Sequence, residues 1–378
     1  MLKPSQAFLG ANIHDGETLH RGHMLIADAA GQVAAVPEGP LPEGCVATDL
    51  AGGTIMPGYV DLQVNGGGGV MFNDAPKVET LQQMAAAHAA LGTAALLPTL
   101  ITDTRARTEA AIAAVIEAQA TRLPGIVGLH LEGPHLAVSR KGAHDGALIR
   151  PMEDEDLQML LRAADRIATL KVTLAPENAS LAQIKTLSDA GVVVFLGHTD
   201  ADYETCMAAF DAGAKGATHL FNAMSQLTNR APGLVGAVLD QDDVFAGVIA
   251  DGIHVHPATM RLALRAKGRK DRIFAVTDAM ATAGSDVHSF ALNGREIRRC
   301  GDRLTLADGT LAGAHLDLTR AIAVLTEQAG DSLETAMART TSWPAALLRD
   351  GGNWGRLNAG LTHLVHLPDA AARPRWLT

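Results

Sequence analysis

From Gly58 onward the chain repeats one rhythm, a short apolar run followed by a segment of helical period. The runs are Tyr59–Val64, Ala94–Leu100, Ile126–Leu131, Leu170–Leu174, Val192–Leu196, Gly216–Leu220, Phe245–Ile249 and Ile273–Val276, eight in all. Runs so short and so uniformly apolar read as strands buried on both faces. Amphipathic segments lie between several of them: Val78–Leu91, Arg105–Ala120, Met152–Ala164, Ser180–Ala190, Tyr203–Ala212 and Pro257–Lys267. Strands alternating with helices make a parallel sheet, and eight of them point to an α/β fold closed as a (β/α)8 TIM-like barrel. A doubly wound open sheet is the competing architecture. No Gly-x-Gly-x-x-Gly opens a helix after a strand, which disfavours a dinucleotide fold.

The flanks follow another pattern. Residues 1–57 are short β-like pieces broken by Gly and Pro, such as Ala7–Gly10, Met24–Ala27 and Gln32–Val36. They read as a small β domain. Asn293-Gly294 and Asp308-Gly309 are hairpin signals and predict β excursions after the eighth strand. Helices are expected again over about 315–330 and 332–348, and His363–Leu367 is strand-like and placed to return to the N-terminal sheet. The expected division is therefore a small β-sandwich domain from 1–57 and 350–378 around a barrel over 58–349.

Composition removes several classes of function. Aromatic residues are 3% of the chain and the formal charge is -10 with no basic run. Neither nucleic acid nor an anionic membrane surface suits such a chain. Cys45, Cys206 and Cys300 are odd in number and far apart, so no disulfide framework or Cys-x-x-Cys zinc site is expected. That usage fits a reducing cytoplasm. The first sixteen residues lack the apolar core of a signal peptide. No run reaches the roughly 18 apolar residues of a membrane span.

In a (β/α)8 barrel the chemistry gathers at the C-terminal ends of the strands. Here those ends carry Asp61, Gln63 and Asn65; His130 and Glu132; His198; His219; Asp251 and His254; and Thr277 and Asp278. Glu132 closes a buried run, where a bare carboxylate needs compensation. With His198 and His219 it makes the carboxylate–imidazole set of a catalytic zinc-type site, which leaves a position for water. Each histidine alone reads equally well as a hydrogen-bonded core residue, and Glu132 alone as a salt-bridged rim carboxylate. Asp278 is placed to serve as general base and then general acid; its bland reading is a helix N-cap. His144, in a glycine-flanked loop, is a candidate to polarise a carbonyl, or else an exposed loop histidine. Asn222, Ala223, Arg230 and His254 suit a phosphate pocket, although an arginine in a loop is as readily a solvated surface charge. Gly66–Gly69 lacks the Gly-Lys-Ser/Thr ending of a nucleotide cradle. His135, His256 and His315 read as bystanders.

Taken together, the motifs resemble the N-acetylglucosamine-6-phosphate deacetylases of the amidohydrolase superfamily. They are Pro57-Gly-Tyr-Val-Asp-Leu-Gln-Val-Asn-Gly66, Pro98-Thr-Leu-Ile-Thr, Gly128-Leu-His-Leu-Glu-Gly-Pro134, Lys141-Gly-Ala-His144 and Thr173-Leu-Ala-Pro-Glu177. Gly197-His198, Ala217-Thr-His-Leu-Phe-Asn-Ala-Met224, Ala250-Asp-Gly-Ile-His254 and Val276-Thr-Asp-Ala279 continue the set. The resemblance implies a barrel with a split β-sandwich, usually as a homodimer in which the neighbouring subunit completes part of the phosphate pocket. It implies hydrolysis of a sugar-phosphate acetamide to amine and acetate. Carried over by position, Glu132, His198 and His219 would hold the metal and Asp278 would be the base and acid. His144 would act on the acetyl carbonyl, and Asn222, Ala223, Arg230 and His254 would hold the phosphate.

Many amidohydrolases carry His-x-His at the end of the first strand, where this chain has Gln63-Val-Asn65. Amides are poor ligands beside imidazole. One divalent ion is therefore expected, Zn2+ by ligand type with Fe2+, Mn2+ or Co2+ also compatible, and Gln63 is expected to contact the metal's water. The usual Gly-x-x-Ala-Asp run before the last strand is here Gly360-Leu-Thr-His-Leu, which leaves that strand's pairing open. The alternatives are an N-acetylgalactosamine-6-phosphate deacetylase, a cyclic-amide hydrolase and a non-catalytic sugar-phosphate sensor. The missing His-x-His and the early position of Lys171 weigh against the two-metal cyclic-amide type. The intact Glu132, His198, His219 and Asp278 set weighs against the sensor.

Overall fold

The computed structural model describes residues 4–369 and 372–377; residues 1–3, 370–371 and 378 of the expected small domain lie outside them. Eight parallel strands form one sheet: β1 (Tyr59–Val64), β2 (Thr93–Ile101), β3 (Leu129–Glu132), β4 (Leu170–Leu174), β5 (Val193–Leu196), β6 (Gly216–Ala217), β7 (Phe245–Ile249) and β8 (Ile273–Val276). Each pairs with its sequence neighbour. The ring closes just past β8, where Val64 bridges Ala279 and the Asp278 N–H donates to the Gln63 carbonyl at 3.0 Å. This is the expected barrel. The register sets Ile101, Glu132 and Thr173 side by side, so three strand ends reach one height.

Helices follow most strands and bury one stripe each. Arg105–Ala120 buries Ala111, Ile112, Val115 and Ala118 and starts at Thr104, whose side chain accepts from the Arg107 N–H. Leu181–Asp189 starts with a capping box between Ser180 and Gln183. Such caps satisfy N–H groups that have no partner within the helix.

Three differences from the sequence reading have physical causes. The third strand begins at Leu129 because Ile126 makes only an isolated bridge to Leu96. The sixth stops at Ala217 because the chain turns sharply, with positive φ at His219, Phe221 and Ala223. The helix Gly233–Asp240 was not anticipated. Residues 233–238 are all buried, so it has no polar face to give a helical period. Lys267 donates its ammonium to the carbonyls of Val238 and Gln241 at that helix's end, and burial lowers its pKa to about 8.

The β excursion after β8 comprises Ser289–Leu292, Arg295–Cys300 and Arg303–Thr305, the first two joined at Asn293-Gly294. The chain ends build two further sheets. Pro4–Leu9, His23–Asp28, Val33–Pro37 and Val46–Asp49 form one. In the other, Leu364–Leu367 runs antiparallel to Thr54–Pro57 and brings the two chain ends together. Phe8, Ile13, Leu25, Ile55 and Leu364 form an apolar cluster there.

Candidate metal centre and active-site cleft

Glu132 ends β3 and is 2% exposed. One of its oxygens lies 3.3 Å from His198 Nε2 and 3.0 Å from His219 Nε2, and the two nitrogens are 3.0 Å apart. His198 and His219 follow β5 and β6 with φ of 48° and 34°, a left-handed backbone that non-glycine residues seldom adopt. That turn aims both rings at Glu132. Asp278 follows β8 with φ of 51°. Strained positions of this kind persist only where the surroundings enforce them, and they cluster at functional sites.

The donor set fits a cation. His198 Nδ1 lies 2.7 Å from the Arg140 carbonyl, which can only accept, so Nδ1 carries the proton. Nε2 of the neutral ring is then a lone pair, pointing at a carboxylate oxygen and a second ring nitrogen. Three converging lone-pair donors within 4.8 Å of one another fit a divalent ion. Burial pushes the Glu132 carboxyl up, but the adjacent His198 and His219 rings hold it well below the usual range. Burial lowers the His219 pKa, and Glu132 more than offsets that and raises it.

Asp278 receives Gln63 Nε2 at 3.1 Å and Asn65 Nδ2 at 2.7 Å, both on Oδ1. Its second oxygen is left for the cleft. Burial and then the nearby Glu132 charge raise its pKa, opposed by His219 and Asn65. A carboxyl raised in this way is suited to exchanging a proton. The Gln63 amide is shared between Asp278 and both oxygens of Glu132, at 3.3 Å each, and its own Oε1 has no hydrogen-bond partner.

His144 is 4% exposed, and its ring lies 4.4 Å from that of His198. The Thr102 N–H donates to Nδ1 at 3.4 Å, and the Thr102 hydroxyl lies 2.7 Å away. Nδ1 is thus an acceptor, and the neutral tautomer carries its proton on Nε2. Burial lowers its pKa well below the usual value and keeps the ring neutral.

A cleft of about 400 Å³ joins these groups. Glu132, His198, His219, Asp278, His144, Asn65, Asn222, Ala223 and His254 all line it. Asp251 orients His254: one oxygen meets His254 Nδ1 at 2.7 Å, and the other accepts the N–H groups of Ile253 and His254. Arg230 is not brought to the cleft; it is exposed on the loop before the helix Gly233–Asp240. Gln63 lies beneath the cleft floor, held by the two carboxylates.

Some strand-end groups serve structure instead. His130 is held between Thr99 and Thr173 inside the barrel. Asp61 accepts the Thr277 hydroxyl, and burial raises its pKa to about 7. His135 meets the Arg150 carbonyl, His256 caps the helix Pro257–Ala266, and His315 meets Thr282. Sequence reasoning gave no role to Asn65, Thr102 or the cleft-lining Arg140. A basic pair before a glycine carries no signal distinguishing it from surface charge. Thr102 lay in a recognised motif with no chemistry attached.

The amidohydrolase family model matches residues 54–360. An N-acetylgalactosamine-6-phosphate deacetylase from Shewanella sp. (strain ANA-3) is 42% identical over 300 residues, covering 79% of this chain and 75% of the relative. An N-acetylglucosamine-6-phosphate deacetylase from Haemophilus influenzae is 36% identical over 330 residues, covering 86% and 85%. The crystal structure of N-acetylglucosamine-6-phosphate deacetylase from Pasteurella multocida superposes with a TM-score of 0.90 at 34% identity, covering 97% of this chain and 96% of that one.

Proposed function

The chain belongs to the amidohydrolase family, and from that premise we propose that it hydrolyses the acetamide of N-acetyl-D-glucosamine 6-phosphate to D-glucosamine 6-phosphate and acetate. The observation that carries this reading is the convergence of Glu132, His198 and His219 beside Asp278 in one cleft. Relatives named for this activity match over most of their length.

Glu132, His198 and His219 would hold one divalent ion. Zinc suits this donor set, and iron, manganese or cobalt would also be accepted. Such an ion supplies Lewis acidity and makes water nucleophilic near neutral pH. Asp278 takes the proton of the attacking water through its free oxygen, while Gln63 and Asn65 hold the other oxygen still. His144 donates from Nε2 to the acetyl oxygen as it gains charge. Asp278 then passes its proton to the nitrogen as the C–N bond breaks, and acetate and amine leave. Asn222, Ala223 and His254 bind the phosphate end, and its binding energy positions the acetamide. Arg230 completes that pocket from the neighbouring chain of a homodimer, consistent with its exposure here.

A second reading is favoured by the 42% identical galactosamine relative: the sugar is N-acetyl-D-galactosamine 6-phosphate. Among the described residues no helix is long and apolar enough to cross a membrane. Free cysteines at Cys45, Cys206 and Cys300 support the cytoplasmic assignment.

The test is acetate release from both phosphorylated sugars and from unphosphorylated N-acetylglucosamine, with and without chelator. Chelator-sensitive turnover of the glucosamine phosphate, at higher kcat/KM than its galacto epimer, supports the proposal. The reverse preference selects the second reading, and turnover of none by metal-replete protein removes both.

A further inference from the structure

We propose that Arg295, on the hairpin that follows β8, is a positioning residue that holds His144 in its working orientation. The proposal rests on the reading of His144 as the group that polarises the acetyl carbonyl. Arg295 stands first in its strand, directly across from Leu292, with only Asn293 and Gly294 between them. Both turn residues have positive φ, 49° and 73°, which gives the tight two-residue turn that hairpins favour.

The half-buried Arg295 guanidinium donates from Nη2 to the carbonyl of Ala143. That carbonyl belongs to the peptide unit whose other end is the His144 N–H, and this N–H donates to the Lys141 carbonyl at 2.9 Å. The peptide plane is therefore held at both ends, and the plane fixes the direction in which the His144 side chain leaves the backbone. Thr102 holds the ring from behind through Nδ1. Ala143 also packs against the small apolar cluster in which Leu292, Ile297 and Leu304 of the excursion meet Met71, Ile101 and Met280.

No residue of the excursion, 289–305, lines the cleft. Arg295 itself therefore stays out of the cleft and acts through the loop it holds and through its charge beside His144. A contribution made only through His144 belongs to the transition state, so its loss should lower kcat and kcat/KM together and leave KM in place.

The experiment compares Arg295→Met, Arg295→Lys, His144→Asn and the double variant Arg295→Met with His144→Asn, each metal-loaded, with metal content and melting temperature measured alongside. Methionine keeps an unbranched stem for packing and removes the donor. Arg295→Met is expected to lower kcat by about 10- to 100-fold, the scale of a small misplacement of a reacting group, with KM within about 2-fold. Arg295→Lys should recover part of the loss, since a donor is restored. The double variant should be no slower than His144→Asn to within about 2-fold, because coupled residues do not add. Normal turnover in Arg295→Met overturns the proposal. So do losses that multiply in the double variant, or a loss accompanied by a lower melting temperature that lysine does not relieve. Wild-type turnover in His144→Asn overturns it differently, by removing the His144 reading on which it stands.

Discussion

The two ends of the cleft are built on opposite plans. At the metal end, Glu132, His198, His219 and His144 are each 5% exposed or less, and each is held by residues of the same chain. At the proposed phosphate end, Asn222, Ala223 and His254 are half-buried, Asp251 braces one of them, and Arg230 stands outside. The difference separates what must be fixed from what can be supplied later. Bond breaking requires groups placed to a fraction of an ångström before substrate arrives. Recognition of a phosphate dianion tolerates loops and a group brought by another chain.

Breaking the metal end should cost most. Glu132→Gln removes the charged donor, and the purified variant is expected to lose bound divalent metal and all measurable turnover. Its melting temperature should no longer rise on adding metal, because only a bound ligand stabilises the fold. A full metal complement in that variant would remove Glu132 from the ligand set.

Asp278→Asn comes next. It should keep the metal and bind substrate while kcat falls by about 10³-fold, within the range of a lost general base. Turnover close to wild type would take the proton-transfer role from Asp278.

Arg230→Ala probes the open end. Its KM for the phosphorylated sugar is expected to rise by about 10-fold, the loss of a charge-assisted contact, with kcat nearly unchanged. Mixing this variant with an Asp278→Asn protein sharpens the contrast. If Arg230 serves a neighbour's cleft, the mixed dimers pair an intact Asp278 cleft with an intact Arg230 and regain low KM. No recovery on subunit exchange would place Arg230 in its own chain's service.

The smallest effect is on pH. Asp278 must be ionised to accept a proton, and burial raises its pKa above the ordinary carboxylate value. Activity is therefore protonated away at low pH and rises as pH climbs through that raised value. The acid limb of kcat should lie above the range of a free aspartate, and a limb at the ordinary value would contradict the burial argument.

Legibility in the sequence follows the same division. Strands β1, β4, β7 and β8 match their apolar runs end to end, because a strand buried on both faces announces itself by composition. The convergence of Glu132, His198 and His219 could be anticipated because barrel geometry brings strand ends together whatever the loops do. Gly233–Asp240 was illegible because a helix buried all round has no period to detect. The Arg295–Ala143 contact was equally hidden, since it spans 152 residues between a strand and a loop and no local pattern encodes it. Gln63 was expected to meet the metal's water, and in the fold its amide lies between Glu132 and Asp278. That detail depends on two carboxylates approaching from either side of β1.

Asp278, the proposed general base, sits on the barrel's seam. The Asp278 N–H closes the ring onto Gln63, while its carboxylate is held by Gln63 and Asn65 of the first strand's end. The candidate metal ligands end β3 or follow β5 and β6, strands that lie within a continuous run of neighbours. As the chain emerges from the ribosome, Glu132, His198 and His219 are all made before Asp278. An incomplete chain thus already carries every candidate donor for an ion while still lacking the group that would put it to use. The appearance of hydrolysis during synthesis is then a clock for ring closure, and metal uptake is expected to run ahead of it.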